Sequence, residues 1–287
     1  MSLLPTYETL LVNGAVGWHD GSATLTYNFV TTIPDYYFSF SGTTYVGGEE
    51  FDSNSNVAMD AGQQAMMLQA VSAWNEVANV NMVAGIDDSA DLNFGSLYSA
   101  NTGLFGFVSD YPDPDDLGGP ASEPGDVWIN TSNTSQYIPG TGPVYGHTSW
   151  NTYLHELGHA LGLHHPNDAP NNSDTHGQYT VMSYIAHPEE QNESLTYQAW
   201  SLTPMVWDIQ AMQELYGANT ETRNTDTVYF GDGSGSSAEQ AYQYGANGMQ
   251  VTGGDGIDRD VILTIWDAGG EDLIDASDLS TRSIIDL

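Results

Sequence analysis

His155-Glu156-Leu157-Gly158-His159-Ala160-Leu161-Gly162-Leu163-His164-His165-Pro166 is the stretch on which the reading of the chain turns. On a helix, residues four apart share a face, so His155 and His159 converge on one point. Glu156 is rotated away from that line. Its carboxylate stays off a shared ion and is free to take a proton from a nearby water. Gly162 permits a sharp exit from the helix, through backbone angles that other residues resist. The chain then returns a third histidine. His165 is preferred over its neighbour His164, because the interval from the glycine fits and a chain-redirecting proline follows. A bare histidine pair flanking a glutamate arises by chance on helix surfaces. The added glycine and third histidine make chance a poor account. The set reads as a zinc site with its own general base. His19, His147, His176 and His187 lack such context, and surface or structural roles are expected for them.

Composition narrows the rest. The chain has 287 residues, 40% of them hydrophobic, enough for one large domain or one domain and a smaller one. No apolar run approaches the length of a membrane span. Met1 to Glu8 lack the basic start and apolar core of a secretory signal peptide, so the chain stays inside or leaves by a route that reads another signal. There are 38 acidic residues against 3 basic ones, and the formal charge is -35. The basic residues are Arg223, Arg259 and Arg282, and lysine is absent. Such a charge argues against nucleic acid and anionic membranes as partners. It suits a saline habitat, where a short Debye length quiets self-repulsion. With no cysteine, disulfides and thiolate ligands are excluded.

The pattern along the chain predicts a mixed fold. Thr24 to Val30 alternates as a strand does. Asp60 and Gln63 fit a capping box, and Met67, Val71, Trp74 and Ala78 follow on one helical face. Asn81-Met82-Val83, Asp91 to Phe94 and Asp126 to Asn130 read as strands, with an exposed loop over 109–126. The motif helix is capped by Thr148 or Ser149 and ends near Gly162. A third helix starts at Thr203-Pro204, carries Met205, Ile209, Met212 and Tyr216 on its apolar side, and ends at Gly217. Beyond about 218, Gly, Asp, Ser and Thr dominate and a β-rich segment is expected. Its single imperfect glycine-aspartate unit, Gly253 to Asp258, is not a repeat array.

At these residues the chain resembles the metzincin metallopeptidases, and among them the serralysins. Pro166 after the third histidine is what serralysins carry. Val181-Met182-Ser183-Tyr184 looks like their Met-turn. Leu68 to Val80, Leu92-Asn93-Phe94-Gly95, Trp207 to Asn219, Asp226 to Tyr229 and Trp266 to Gly270 are similar to further family segments. Together these cover roughly residues 22–287.

The resemblance implies an α+β metzincin fold: a twisted, mostly parallel sheet, a long active-site helix and a Met-turn, followed by a truncated β-roll-like segment. It divides the chain into a short N-terminal segment (1–21), a zinc-protease domain (22–217) and the start of a calcium-binding β-rich domain (218–287). It implies zinc bound by His155, His159 and His165, with Tyr184 as a further ligand that moves off to stabilise the transition state. Met182 becomes the hydrophobic floor beneath the ion, and Glu156 the general base. Calcium falls to Arg223, Thr225, Thr227, Asp267, Gly269, Gly270 and Asp272, although Thr225 stands where the family usually has glycine. Serralysins continue into a long repeat array and export signal, and this chain stops about where that array would build up. The implied activity is that of a secreted, extracellular, monomeric zinc endopeptidase acting on proteins or peptides, with a substrate strand along a sheet edge near Gly103–Val108. The rival is a calcium- or matrix-binding module that keeps the fold without catalysis. Loss of the glutamate or of a histidine would favour it, and neither is lost.

Overall fold

The structure is a computed structural model. It describes residues 6–14, 17–18, 23–37, 44–46, 49–51, 57–99, 101, 103–109, 112, 125–132, 146–166, 175–185, 187–188, 200–231, 238–242, 250–252, 258–260, 262–277 and 284–285. Most of the 109–126 loop and the Gly253 to Ile257 portion of the glycine-aspartate unit lie outside these residues.

A 3-10 helix (Tyr7–Gly14) precedes β1 (Ala23–Phe29). A hairpin of β2 (Thr44–Val46) and β3 (Glu49–Phe51) leads to α1 (Ala61–Val77). Then come β4 (Val80–Ala84), β5 (Leu92–Leu97), β6 (Gly106–Val108) and β7 (Val127–Asn130). Two more helices follow, α2 (Thr148–Ala160) and α3 (Val206–Tyr216). The main sheet has the order β4-β1-β5-β7-β6. Its pairings are parallel except for β6, which runs antiparallel to β7 along the edge. The fold is therefore mixed α/β with a mostly parallel sheet. Every residue of β5 is buried, as a parallel strand covered on both faces requires.

The first helix forms as its sequence dictates. The Asp60 carboxylate accepts the Gln63 N–H at 2.9 Å, and the Gln63 side chain accepts the Asp60 N–H at 2.9 Å. Met67, Val71, Trp74 and Ala78 are all buried. Each large apolar side chain withdrawn in this way contributes about 1.5–3 kcal/mol. The starts of the other two helices differ from expectation. On α2 the cap is His147, whose Nδ1 accepts the Ser149 N–H at 3.0 Å. Thr148 and Ser149 are already helical, and Ser149 binds the same ring nitrogen through its hydroxyl. On α3 the cap is Met205 rather than Thr203. The Thr203 hydroxyl is engaged elsewhere, donating to Thr264 O and accepting the Thr264 N–H. Asp208 instead accepts the Met205 N–H at 2.7 Å.

The C-terminal part is β-rich as its texture suggests. It holds β8 (Thr227–Tyr229), β9 (Glu239–Ala241), β10 (Gln250–Thr252), β11 (Asp258–Asp260) and β12 (Leu273–Ile274). The order β12-β8-β9 is wholly parallel, and β10 pairs with β11 antiparallel. Hydrogen bonds stitch this part to the first helix. Asn219 Nδ2 donates to Asn75 O, the Thr222 hydroxyl to Glu76 O, and Arg223 to the Glu76 carboxylate at 2.9 Å.

The opening residues form an element that none of the sequence patterns above signals. The Tyr7–Gly14 helix packs on α3 and buries Leu10. Trp18 Nε1 donates to Ala160 O at 2.8 Å, and the Tyr216 hydroxyl donates to Leu161 O at 2.8 Å. His164 N–H donates to Leu10 O at 2.9 Å. These three bonds fasten the exit of α2, which is the segment that must carry the third histidine of the motif.

Candidate metal centre

The α2 helix is buried along its whole middle and presents His155 and His159 one turn apart. It stops where the glycine permits. Gly162 takes φ +107°, and the Leu163 N–H turns back to Gly158 O at 3.0 Å. The reversed chain delivers His165. Its Nε2 lies 3.1 Å from His155 Nε2 and 3.0 Å from His159 Nε2, and those two are 3.1 Å apart. His164 does not join the cluster.

The outer nitrogens of the two helical histidines fix what their inner nitrogens present. His155 Nδ1 faces Val181 O at 2.9 Å, and His159 Nδ1 faces Leu163 O at 2.6 Å. A carbonyl oxygen only accepts, so each Nδ1 carries the proton and each Nε2 presents a lone pair. Burial and the neighbouring imidazoles hold both rings neutral. His155 is pushed down to about 4, and His159 lies well below the usual histidine range. Lone pairs facing one another at 3 Å repel unless a cation lies between them. In a tetrahedral site with bonds of 2.0–2.1 Å, neighbouring nitrogens are about 3.3 Å apart. The observed triangle is close to one face of such a site. Three imidazoles with an open fourth position fit a zinc-type ion.

Beside this triangle, Glu156 is buried, and burial alone pushes its carboxyl up to about 8. A divalent cation next to it would pull that value back down. The carboxylate lies against β6. A methyl group on Gly106 would stand 2.8 Å from Glu156 Cγ and 3.1 Å from Oε1. Met182 is fully buried, and its sulfur packs on Gly158, where a Cβ would come within 2.7 Å. Tyr184 is 69% exposed, yet its ring stacks on His155 at 5.4 Å and tilts against His165 at 4.5 Å. Of the other histidines, His147 caps α2 and His176 stacks on Tyr179.

The second expected ligand set also converges in space. Thr227 N–H donates to Asp272 Oδ1 at 2.9 Å, and the Thr227 hydroxyl donates to Thr225 O at 3.0 Å. Gly269 N–H donates to Asp267 Oδ1 at 2.8 Å, and Tyr229 donates to the other oxygen of Asp267. Gly269 and Gly270 take φ +152° and +143°, which bring the 267–272 turn against Thr225. The Arg223 side chain points away, which leaves only its carbonyl for the set. Its guanidinium donates to Trp266 O, to Tyr242 and to Glu76, and lies 5.1 Å from the Tyr242 ring centre. An oxygen-only set of carbonyls and two carboxylates is the donor chemistry that calcium takes.

Three further residues enter the site without a signal in the motif. Gly106 faces Glu156 from the edge strand. The Leu163 carbonyl orients His159. Asp208 holds the turn at 180–182, which neither periodicity nor motif spacing marks.

Helix, mostly parallel sheet and histidine triangle are together consistent with a metzincin-like catalytic domain. Relatives narrow that class. The chain is 32% identical over 290 residues to metalloprotease AprA of Pseudomonas entomophila (strain L48), covering 93% of this chain and 52% of the relative. It is 32% identical over 241 residues to a serralysin of Proteus mirabilis, covering 76% of this chain and 45% of the relative. It is 30% identical over 286 residues to serralysin B of Dickeya chrysanthemi, covering 93% and 51%. No family model matches the sequence. Over most of its length the chain is thus similar to serralysin-type metalloproteases. It spans about half the length of the curated relatives it matches.

Proposed function

We propose that the chain is a secreted zinc endopeptidase that hydrolyses peptide bonds of proteins. The observation that carries this reading is the triangle of Nε2 atoms at 3.0–3.1 Å with Glu156 beside it on the same helix. His155, His159 and His165 hold the zinc, which when bound supplies Lewis acidity. Glu156 takes the proton of the attacking water and delivers it to the leaving amine. The Tyr184 hydroxyl donates to the oxyanion that develops on the scissile carbonyl. Residues 181–184 serve as the Met-turn, with Met182 as the floor. The substrate lies extended along β6, an edge strand of the sheet among the described residues, which brings its backbone beside Glu156. Residues 22–217 form the protease domain, and 218–287 begin a β-roll-like domain. Its calcium is held by carbonyls of Arg223, Thr225 and Thr227, by Asp267, Gly269 and Gly270, and by Asp272.

Metal analysis paired with a casein assay tests the reading. One zinc per chain is expected, with hydrolysis abolished by 1,10-phenanthroline and restored by added zinc. Unchanged hydrolysis in the chelator would overturn it. A second expectation follows from Gly106. In Gly106→Ala the new methyl meets Glu156 Cγ at 2.8 Å and Trp128 O at 3.0 Å, so the carboxylate must swing or the strand must shift. A misplacement of that order costs roughly 10- to 100-fold in kcat. Zinc content should hold, because no metal-facing nitrogen moves. Full kcat in this variant would place the base elsewhere.

A further inference from the structure

Asp208 sits at the first turn of α3, fully buried and far in sequence from the motif. One of its oxygens accepts the Thr180 hydroxyl at 2.5 Å. The other accepts the Val181 N–H at 2.8 Å and the Met205 N–H at 2.7 Å. Thr180 passes the hold along, since its hydroxyl oxygen accepts the Met182 N–H at 2.9 Å. Val181 is the connecting residue. Its N–H is held by Asp208, and its carbonyl accepts the proton of His155 Nδ1. One carboxylate therefore fixes two groups of a short turn, the Thr180 hydroxyl and the Val181 N–H, and ties them to the Met205 N–H at the start of α3. That turn sets both the ring direction of His155 and the seat of Met182 on Gly158.

We propose that Asp208 is a positioning residue for the metal centre, acting through the 180–182 turn to fix the tautomer and direction of His155. The proposal rests on the reading of His155 as a metal ligand. Partners that orient a ligating histidine strengthen its donation and slow the loss of the ion. The Val181 carbonyl shares its peptide with the Met182 N–H, which donates to the Thr180 hydroxyl that in turn donates to Asp208, so this chain of bonds polarises the peptide and makes its carbonyl a better acceptor for Nδ1–H. A charged acceptor is the suitable choice here, because one side chain must satisfy three donors with two oxygens. An asparagine offers a single acceptor oxygen, and its amide must then face either the Val181 and Met205 N–H groups or the Thr180 hydroxyl.

The test is made on the full chain loaded with cobalt(II) or zinc. Asp208→Asn should shift the visible cobalt bands and release zinc to a chelator on the order of 10-fold faster than the parent protein. Asp208→Ala, which removes all three bonds, should release it faster still. Leu25→Ala, a buried change in β1, serves as a control destabilised without loss of a side-chain hydrogen bond to the turn. It should unfold at lower temperature with parental cobalt bands and parental zinc release. Should Asp208→Ala not fold, Asp208→Asn and Thr180→Val carry the same comparison. Asp208 variants that behave as Leu25→Ala does, with lowered melting but parental bands and release, overturn the positioning role. A parent protein that takes up neither cobalt nor zinc overturns the metal centre itself, a different outcome from the first.

Discussion

Glu156→Ala is expected to retain its zinc and to lose on the order of 10²–10⁴ in kcat against casein, the usual worth of a positioned general base. In free energy that is about 3–5 kcal/mol of transition-state stabilisation. The three nitrogens that face the ion come from other side chains, so metal content should match the parent protein. The carboxylate lies beside Gly106 of β6 and is desolvated there, so alanine removes a buried ionisable group. The metal-free variant should therefore fold, and its stability provides a second readout. In the metal-free protein, burial raises the Glu156 carboxyl from 4.5 to about 8, so the folded state binds that proton more tightly than the unfolded chain does. Stability from this group is present below about 4.5 and declines as pH rises through 8. Replacing Glu156 removes the decline. Metal-free Glu156→Ala should thus gain on its parent at pH 9 relative to pH 5, as read by urea unfolding at both values. Parental casein turnover in the zinc-loaded variant would remove Glu156 from the mechanism. An unaltered pH dependence of unfolding would show that the carboxylate is not the buried, donor-poor group described above.

Much of the fold was legible because local chemistry and final packing agree. Asp60 and Gln63 cap the helix they were expected to cap, and the stripe through Trp74 is core. The strands from Val80, Leu92 and Val127 fall within a few residues of their alternating or apolar runs. What failed were choices between adjacent residues of similar capacity. Thr148, Ser149 and Thr203 all can cap, but Thr203 is engaged by Thr264, a partner some 60 residues away that no local pattern announces. His147 caps through a ring nitrogen, an uncommon use of histidine. The Tyr7–Gly14 helix exists because Leu10 and Trp18 find the exit of α2 and Tyr216. At the site, the histidine triangle follows from the spacing of one helix and one glycine. The orienting carbonyls of Val181 and Leu163, and Asp208 behind the first, depend on tertiary placement and leave no periodicity to read.

Charge supplies the other large expected effect, independent of the metal. A surface of 13948 Å² shared by 35 net negative charges leaves about 400 Å² for each, so neighbours lie about 20 Å apart. At that distance a pair repels by about 0.2 kcal/mol in water before screening. With about six neighbours for each charge, roughly a hundred pairs contribute. At 0.01 M salt the Debye length of about 30 Å leaves around half of this repulsion, and at 1 M, where it is about 3 Å, almost none remains. The unfolded chain keeps part of the repulsion because it is longer and more open, so several kcal/mol remain as the difference between the two salts. For a chain of this size each kcal/mol moves Tm by roughly 2–4 °C. Tm should then rise by about 10 °C or more between 0.01 and 1 M NaCl at pH 7, with calcium and zinc held constant. Chloride is the proper salt for the comparison, since sulfate also strengthens burial by exclusion from the surface. The gain should shrink at pH 4, where many of the 38 carboxyls are protonated. The few basic groups cannot offset the acids by pairing. Arg223, one of only three, is committed to Glu76 and to the carbonyl and ring of its own segment. A melting temperature flat to within 2 °C across that salt range would show that the acidic surface is already neutralised by bound cations. The repulsion argued here would then not govern stability.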